Sequence, residues 1–178
     1  MVRVQKTLEL WKAIREDTAQ AVEDMPADAL DFRAADGLMT FREIARHILH
    51  AGHALTGLML DGVTNLAVPG LRDMMKQYST KLPADASQTD LAAALRHVVD
   101  RRIAELSARD DAFFTEEITR FDGVRLTRLE MLQTIKEHEL THRSQLFMYL
   151  RLKGVVPPTT RRRGQAAKQA AGQASSRS

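Results

Sequence analysis

The fold of this chain is constrained most strongly by one long segment with regularly spaced apolar residues, residues 127–153. Its apolar residues recur at three- and four-residue steps, the periodicity of a helix with one buried face. Thr127 and Glu130 have the spacing of a capping box at a helix start. Gly154 follows the last turn, where glycine commonly ends a helix. The segment therefore predicts a helix of about seven turns, whose apolar face must be covered by other helices.

Two histidines of this segment, His138 and His142, are one turn apart and project from the same side of the helix. Two imidazoles in this arrangement can hold a metal ion between them. The alternative is a pair of core histidines that hydrogen-bond to backbone carbonyls or water. Their side of the helix is expected to be buried, and its other members are Met131, Ile135, Gln145, Leu146 and Tyr149.

Residues 138–142 read H-E-L-T-H, which also matches the H-E-x-x-H pattern of zinc proteases. Such a protease needs a further metal ligand downstream, but residues 143–178 contain no His, Asp or Glu. Gln145 also stands where the longer protease motif has glycine. We therefore set the protease aside. Glu139 is expected either to support a neighbouring histidine from a partly buried position or to be a helix-surface acid.

Three further helices are predicted from the same periodicity, over about residues 4–24, 40–60 and 89–107. Four helices with one apolar stripe each make an all-α four-helix bundle. The lengths of the connections leave open whether this is a simple up-down bundle or one with a long overhand connection.

The connections carry two weaker signals. Residues 64–86, with a short helix near Met75, either cover a site or form a merely long crossover. A small β-hairpin before the last helix, with Phe114 in its first strand and Asp122-Gly123 at its turn, is the one strand candidate.

His47 is the best-placed third ligand for a metal held by His138 and His142. It lies about 60° from the centre of the apolar stripe of the second helix, so it flanks the core. By the same angular count, His53 is expected to face solvent. Three neutral imidazoles leave coordination positions open, as in catalytic metal sites. Such nitrogen ligation suits zinc, nickel, iron or copper.

The absence of cysteine restricts the chemistry further. Disulfides, thiolate metal ligands and a cysteine nucleophile are excluded, so a thiol nucleophile would have to come from a second molecule. No apolar run reaches the roughly 18 residues that a membrane span needs, and the N-terminus does not read as a signal peptide. We therefore expect a cytoplasmic location and no membrane partner.

Much of the positive charge lies at the C-terminus. Residues 159–178 contain five of the 26 Lys and Arg residues and no acid, which leaves 21 basic and 23 acidic residues in the rest of the chain. We expect a bundle domain over residues 1–158 and a disordered, basic, low-complexity tail over residues 159–178. Residues 161–163, three consecutive arginines, could contact nucleic acid or anionic lipid, but a solvated tail is the simpler interpretation.

Two stretches of the chain resemble the DinB/YfiT-like superfamily. Residues 40–51, T-F-R-E-I-A-R-H-I-L-H-A, are similar to its second helix, and residues 137–146, E-H-E-L-T-H-R-S-Q-L, to its last helix. The resemblance implies an up-down-down-up four-helix bundle, a homodimer, and one divalent metal ion on three histidines. Carried over to this chain, these are His47, His138 and His142. Ser144 replaces the glycine of many members, a small-for-small change.

The expected function is that of a metal-dependent enzyme that activates water or a low-molecular-weight thiol against a small electrophile. Members of the superfamily include bacillithiol and mycothiol S-transferases, a mycothiol-dependent maleylpyruvate isomerase and hydrolase-like proteins. The resemblance thus implies a transferase or a hydrolase that uses zinc, nickel, iron or manganese. The alternative is a non-catalytic, dimeric binding or stress-response module. The roles of Arg143 and Gln145, and any catalytic residue beyond the metal ligands, stay open.

Overall fold

Helices make up most of the computed structural model, which describes residues 3–175. In chain order the elements are α1 (Val4–Asp24), α2 (Phe41–Leu60), α3 (Leu71–Lys76), α4 (Gln88–Ser107), α5 (Asp111–Thr115), β1 (Glu117–Thr119), β2 (Arg125–Thr127), α6 (Arg128–Leu152) and α7 (Pro158–Ser175). Helices α1, α2, α4 and α6 form the bundle, and β1 pairs with β2 as an antiparallel hairpin. The predicted fold class is confirmed.

Reciprocal capping fixes where three of the bundle helices begin. The Thr40 hydroxyl accepts a hydrogen bond from the Glu43 N–H at 3.1 Å, and the Glu43 carboxylate accepts from the Thr40 N–H at 2.6 Å. The same exchange occurs at the first turns of α4 and α6. These bonds satisfy N–H groups that a helix start leaves without partners. They also set the residues at which α2 and α6 begin.

Side-chain contacts give the directions of the four bundle helices. Lys12 pairs with Asp100 and Glu23 with Arg96, so α1 and α4 run antiparallel. Corresponding contacts make α1 parallel to α6, α2 parallel to α4, and α2 antiparallel to α6. The order is therefore up, down, down, up, as the resemblance implied. Each of α1 and α2 packs against both α4 and α6, so these two consecutive helices lie across the bundle diagonal.

The core consists of two hydrophobic clusters separated by a polar layer. Along α1 and α6, Arg15 and Glu139 fall between the clusters, and their side chains are only 0% and 2% exposed. Charges at this depth are tolerated only when they are paired and hydrogen-bonded. The first cluster includes Val22, Ile48, Leu95, Leu146 and Tyr149, and the second includes Leu8, Trp11, Leu58, Val99 and Met131.

The prediction that His53 faces solvent is wrong, because α2 is covered on more than one side. α3 and α4 both pack against it, and His53 is 8% exposed. Arg102 of α4 donates from Nε to His53 Nδ1 at 3.0 Å, and the Tyr78 ring lies edge-on to the imidazole. Burial, followed by the charges of Arg102 and Arg101, lowers the pKa of His53 to about 4.

The crossover and the hairpin are joined to each other. The Leu66 N–H donates to the Thr119 carbonyl at 2.8 Å, and the Thr119 N–H donates to the Thr64 carbonyl at 2.7 Å. A short helix is present in the crossover, as predicted, at α3. Phe114 was expected in a strand but lies in α5, because the Asp110 side chain accepts from the Phe113 N–H and starts a helical turn there.

The C-terminal segment also differs from the expectation of disorder. Residues 158–175 form α7, which begins at Pro158, a residue favoured in the first turn of a helix. Arg161 pairs with Asp24 at 2.7 Å and Arg162 with Asp17, so the start of α7 is held against α1. The last basic residue, Arg177, lies outside the described residues.

Candidate metal centre

Three histidine side chains meet where α2 passes α6 at the level of the polar layer. His47 of α2 places Nε2 at 3.0 Å from His138 Nε2, and His142 Nε2 lies 3.2 Å from that same atom. We call these residues the histidine cluster. All three are half-buried, and within residues 3–175 they are the one group of three His, Asp or Glu side chains whose ligand atoms lie within 4.8 Å of one another. The structure thus brings together the three histidines that the sequence singled out.

The spacing of these nitrogens fits a shared metal ion. Three nitrogens bound to one tetrahedral zinc at about 2.0–2.1 Å are roughly 3.3 Å apart, close to the two observed separations. Hydrogen bonds alone would satisfy the cluster poorly, because a neutral imidazole has only one N–H and His138 Nε2 faces two other ring nitrogens. The donor set is neutral and all-nitrogen, which suits divalent ions such as zinc, nickel and iron.

Gln145 is hydrogen-bonded to His142. Its side-chain oxygen lies 2.7 Å from His142 Nδ1, and an amide oxygen in this position accepts from an Nδ1 that carries the proton. In the neutral ring, Nε2 is then unprotonated and its lone pair is free to bind a metal. Gln145 itself is exposed. The prediction that it lies on the buried side of α6 is therefore wrong. It lies three residues beyond His142, on the rim of the site.

Burial keeps two members of the cluster neutral. The pKa of His138 is lowered to about 4, first by burial and then by the neighbouring His142 and His47. The pKa of His47 is also lowered, again chiefly by burial. A metal ligand must be deprotonated, and at neutral pH these imidazoles already meet that condition.

Several side chains of α1 donate hydrogen bonds to Glu139. Its carboxylate accepts from Arg15 Nε at 2.6 Å, from Arg15 Nη2 at 2.8 Å and from Trp11 Nε1 at 2.7 Å. The Thr18 hydroxyl lies 3.2 Å from Oε1, the oxygen that also accepts from Arg15 Nε. Both proposed positions, a partly buried support and a surface acid, are therefore wrong. A carboxylate held in this way is not available as the general base of a protease.

A signal for this buried pair was present in the first helix. Arg15 falls on the apolar stripe of α1, and an arginine there needs a buried acceptor. Gly52 of α2 makes room for it, because a side chain at that position would begin 2.8 Å from Arg15 Nη2. The sequence alone did not identify which acid would face it.

Arg143 belongs to the framework around the site. Its Nη1 pairs with Asp17 of α1 at 3.0 Å, and its guanidinium lies over the Phe147 ring. Burial lowers the pKa of Arg143, while Asp17 opposes that shift. The observed contacts therefore connect α6 to α1 rather than to the histidine cluster.

A cavity of about 210 Å³ adjoins the cluster. His47 and His138 of the cluster are among its lining residues. α3 covers one side of it, and Phe121 from the hairpin turn lies at another. The remaining lining residues are Ala51, Leu55, Leu71, Met75, Met131, Thr134 and Ile135.

Residues 1–173 match the sequence model of the DinB family. The chain belongs to the DinB family. Among curated proteins it is similar to the uncharacterized protein YjoA of Bacillus subtilis, with 24% identity over 142 residues that span 79% of this chain and 84% of YjoA. The family resemblance drawn from the two helical stretches is thus confirmed.

Solved DinB-like structures share the fold. The crystal structure of YjoA superposes with a TM-score of 0.66 at 22% identity, covering 84% of this chain and 92% of YjoA. YfiT of B. subtilis, described as a probable metal-dependent hydrolase with an unusual four-helix bundle topology, gives 0.67 at 20% identity, covering 87% and 91%. A mycothiol-dependent maleylpyruvate isomerase gives 0.60 at 14% identity, covering 82% of this chain and 61% of the isomerase.

Membrane insertion through a helix finds no support in the part of the chain that the structure describes. None of its helices combines the length and the apolar character that a bilayer span requires.

Proposed function

We propose that His47, His138 and His142 hold one divalent metal ion and that this DinB family member uses it to transform a small molecule. The observation that carries the proposal is the convergence of three Nε2 atoms from two helices, with His142 Nδ1 in contact with the side-chain oxygen of Gln145. Three ligands leave coordination positions for water or substrate, as in catalytic sites. The family and the fold of YfiT agree with this proposal.

The protein residues supply the binding and the positioning. A bound ion would lower the pKa of coordinated water or thiol, or polarise a carbonyl of the substrate. The half-buried histidines keep the site partly shielded from water, and the Arg15–Glu139 pair fixes α6 against α1 one residue from His138. Since the chain has no cysteine, a thiol nucleophile must be a second substrate. Both hydrolysis and thiol transfer or isomerisation are therefore compatible with the site.

Metal content tests the first half of the proposal. Protein purified without a His-tag should carry close to one divalent ion per chain, measured by elemental analysis. His142→Ala should lose most of this metal. His97→Ala is the matched control, because His97 is an exposed histidine of α4 outside the cluster, and it should keep the wild-type content. Equally low metal in the wild type and in His142→Ala would overturn the proposal.

Turnover tests the second half. The metal-containing protein should act on a panel of small esters, amides and electrophiles, either with water alone or only when a low-molecular-weight thiol is added. Dependence on thiol identifies a transferase or isomerase, and independence identifies a hydrolase. If metal binds but no substrate reacts faster than with His142→Ala, the non-catalytic binding module is the better description and the enzyme proposal fails.

A further inference from the structure

The cavity beside the histidine cluster is lined almost entirely by uncharged, apolar side chains. Among the described residues that line it, none carries a formal charge when the histidines are neutral. Thr134 supplies the one hydroxyl, and that group already donates to the Glu130 carbonyl of its own helix at 3.0 Å. The wall, which includes the rings of His47 and His138, therefore offers almost no polar partner to a ligand.

Four parts of the fold contribute the apolar wall. α2 provides Leu55, α3 provides Leu71 and Met75, and α6 provides Ile135. Phe121 comes from the turn of the hairpin, whose backbone is hydrogen-bonded to the start of the crossover. These segments surround much of the cavity, and the rings of His47 and His138 from the cluster also line it.

The volume sets the size of the group that fits. An apolar cavity of about 150 Å³ in another protein is large enough to bind benzene, and this cavity is about 210 Å³. A benzyl or short alkyl group fills such a space. A charged or strongly hydrated group would lose its water there without gaining partners.

We propose that the substrate of the metal site carries an apolar aryl or short alkyl group beside its reacting atom, and that this cavity selects it. The proposal rests on the proposed function, since it places the reacting atom at the histidine cluster and the apolar group against α3. Leu55, Leu71 and Met75 are then specificity-determining residues. Substrates with a carboxylate or sugar at this position are excluded by the lining.

Two hydroxamates that differ only in their apolar group test the proposal on the metal-containing protein. Acetohydroxamate and phenylacetohydroxamate present the same metal-binding group, but only the second can fill the cavity. Isothermal titration calorimetry should show at least tenfold tighter binding of phenylacetohydroxamate. Equal affinities would overturn the cavity assignment. If neither compound binds, the metal proposal fails instead, so the two failures are distinguishable.

A matched pair of methionine variants locates the effect. Met75→Gln makes the cavity wall polar with little change of length and should reduce the preference for phenylacetohydroxamate to about threefold or less. Met148→Gln is the same substitution on α6 at a position that is 57% exposed and outside the cavity, and it should keep the full preference. A similar effect of both variants would contradict the proposal.

A spectroscopic measurement on the wild type needs no variant. With ¹³C-labelled methionine methyl groups, phenylacetohydroxamate should shift the signals of Met75 and Met131, which line the cavity, and leave that of Met148 in place. Acetohydroxamate should move the first two much less. Shifts confined to other methionines would place the aryl group elsewhere and overturn the proposal.

Discussion

Among single residues, Glu139 contributes most to holding α1 and α6 together beside the site. Its carboxylate accepts hydrogen bonds from Trp11, Arg15 and Thr18, which all belong to α1. Removing a charge from a buried pair leaves the partner uncompensated. We expect Glu139→Gln to lower the free energy of unfolding by about 3–5 kcal/mol, measured by urea denaturation.

Two comparisons separate this effect from a general effect of losing an ion pair. Glu9→Gln breaks the Lys6–Glu9 pair, whose side chains are 65% and 51% exposed, and should change stability by less than about 1 kcal/mol. Replacing both buried charges, Arg15→Met with Glu139→Leu, should recover much of the loss, because no unpaired charge remains. An unchanged stability of Glu139→Gln would show that the pair is not buried in solution.

His53 makes the free energy of unfolding depend on pH, and this effect is separate from the histidine cluster. Its folded-state pKa of about 4 lies below the ordinary value of 6.5, so the unfolded chain binds the proton more readily. The stability it contributes is complete above about pH 6.5 and is lost as the pH falls towards 4. At pH 5 the loss amounts to about 2 kcal/mol.

The variant His53→Asn isolates this contribution. Its amide oxygen can still accept from Arg102, but it does not titrate. Between pH 7 and pH 5 the variant should lose about 1–2 kcal/mol less stability than the wild type, measured by urea denaturation at both values. His97→Asn, at an exposed position, should behave as the wild type. Parallel losses in wild type and His53→Asn would refute the assignment.

At the scale of elements, α2 and the crossover meet at Gly57. A side chain there would collide with the Tyr78 ring and would begin 2.6 Å from Arg102 Nη2. Alanine normally stabilises a helix relative to glycine by up to about 1 kcal/mol. Here we expect Gly57→Ala to destabilise by about 1–3 kcal/mol, because the neighbours must move and the Tyr78–Asp61 hydrogen bond is disturbed.

The control is the same substitution in α7. Gly164 has nothing within 4 Å of the position of an added Cβ, so Gly164→Ala should not lower the stability measured by thermal denaturation. Hydrogen exchange should show faster opening of residues 71–78 in Gly57→Ala than in the wild type. A stabilised Gly57→Ala would mean that Tyr78 is not packed against α2.

At the scale of the whole molecule, α7 is an addition to the bundle rather than part of its core. Its contacts include the ion pairs of Arg161 and Arg162 with two acids of α1, and pairs whose basic partner stays open to solvent contribute about 1 kcal/mol each. Deleting residues 159–178 should therefore lower the free energy of unfolding by less than about 2 kcal/mol and leave the metal content unchanged. A truncated chain that fails to fold would contradict this description.

The sequence predicted the bundle and the three histidines because their signals are local. Capping boxes at Thr40 and Thr127 fix the helix starts, and helical spacing then places His47 and His138. The burial of His53 and Glu139 could not be predicted in this way. An angular count assumes one buried face per helix, whereas α2 is covered by α3, α4 and α6, and the partner of Glu139 lies 124 residues away in sequence.

The polar layer between the two hydrophobic clusters has a consequence for where this chain can change in length. If α1 slipped by one turn along α6, Arg15 and Glu139 would each lie among apolar side chains without a partner. The layer therefore prevents the two helices from sliding along each other. Insertions and deletions inside α1 or α6 of this chain are then strongly disfavoured, because they would break the pairing of Arg15 with Glu139. Because His138 precedes Glu139 directly, the same pair also fixes the position of the histidine cluster along α1.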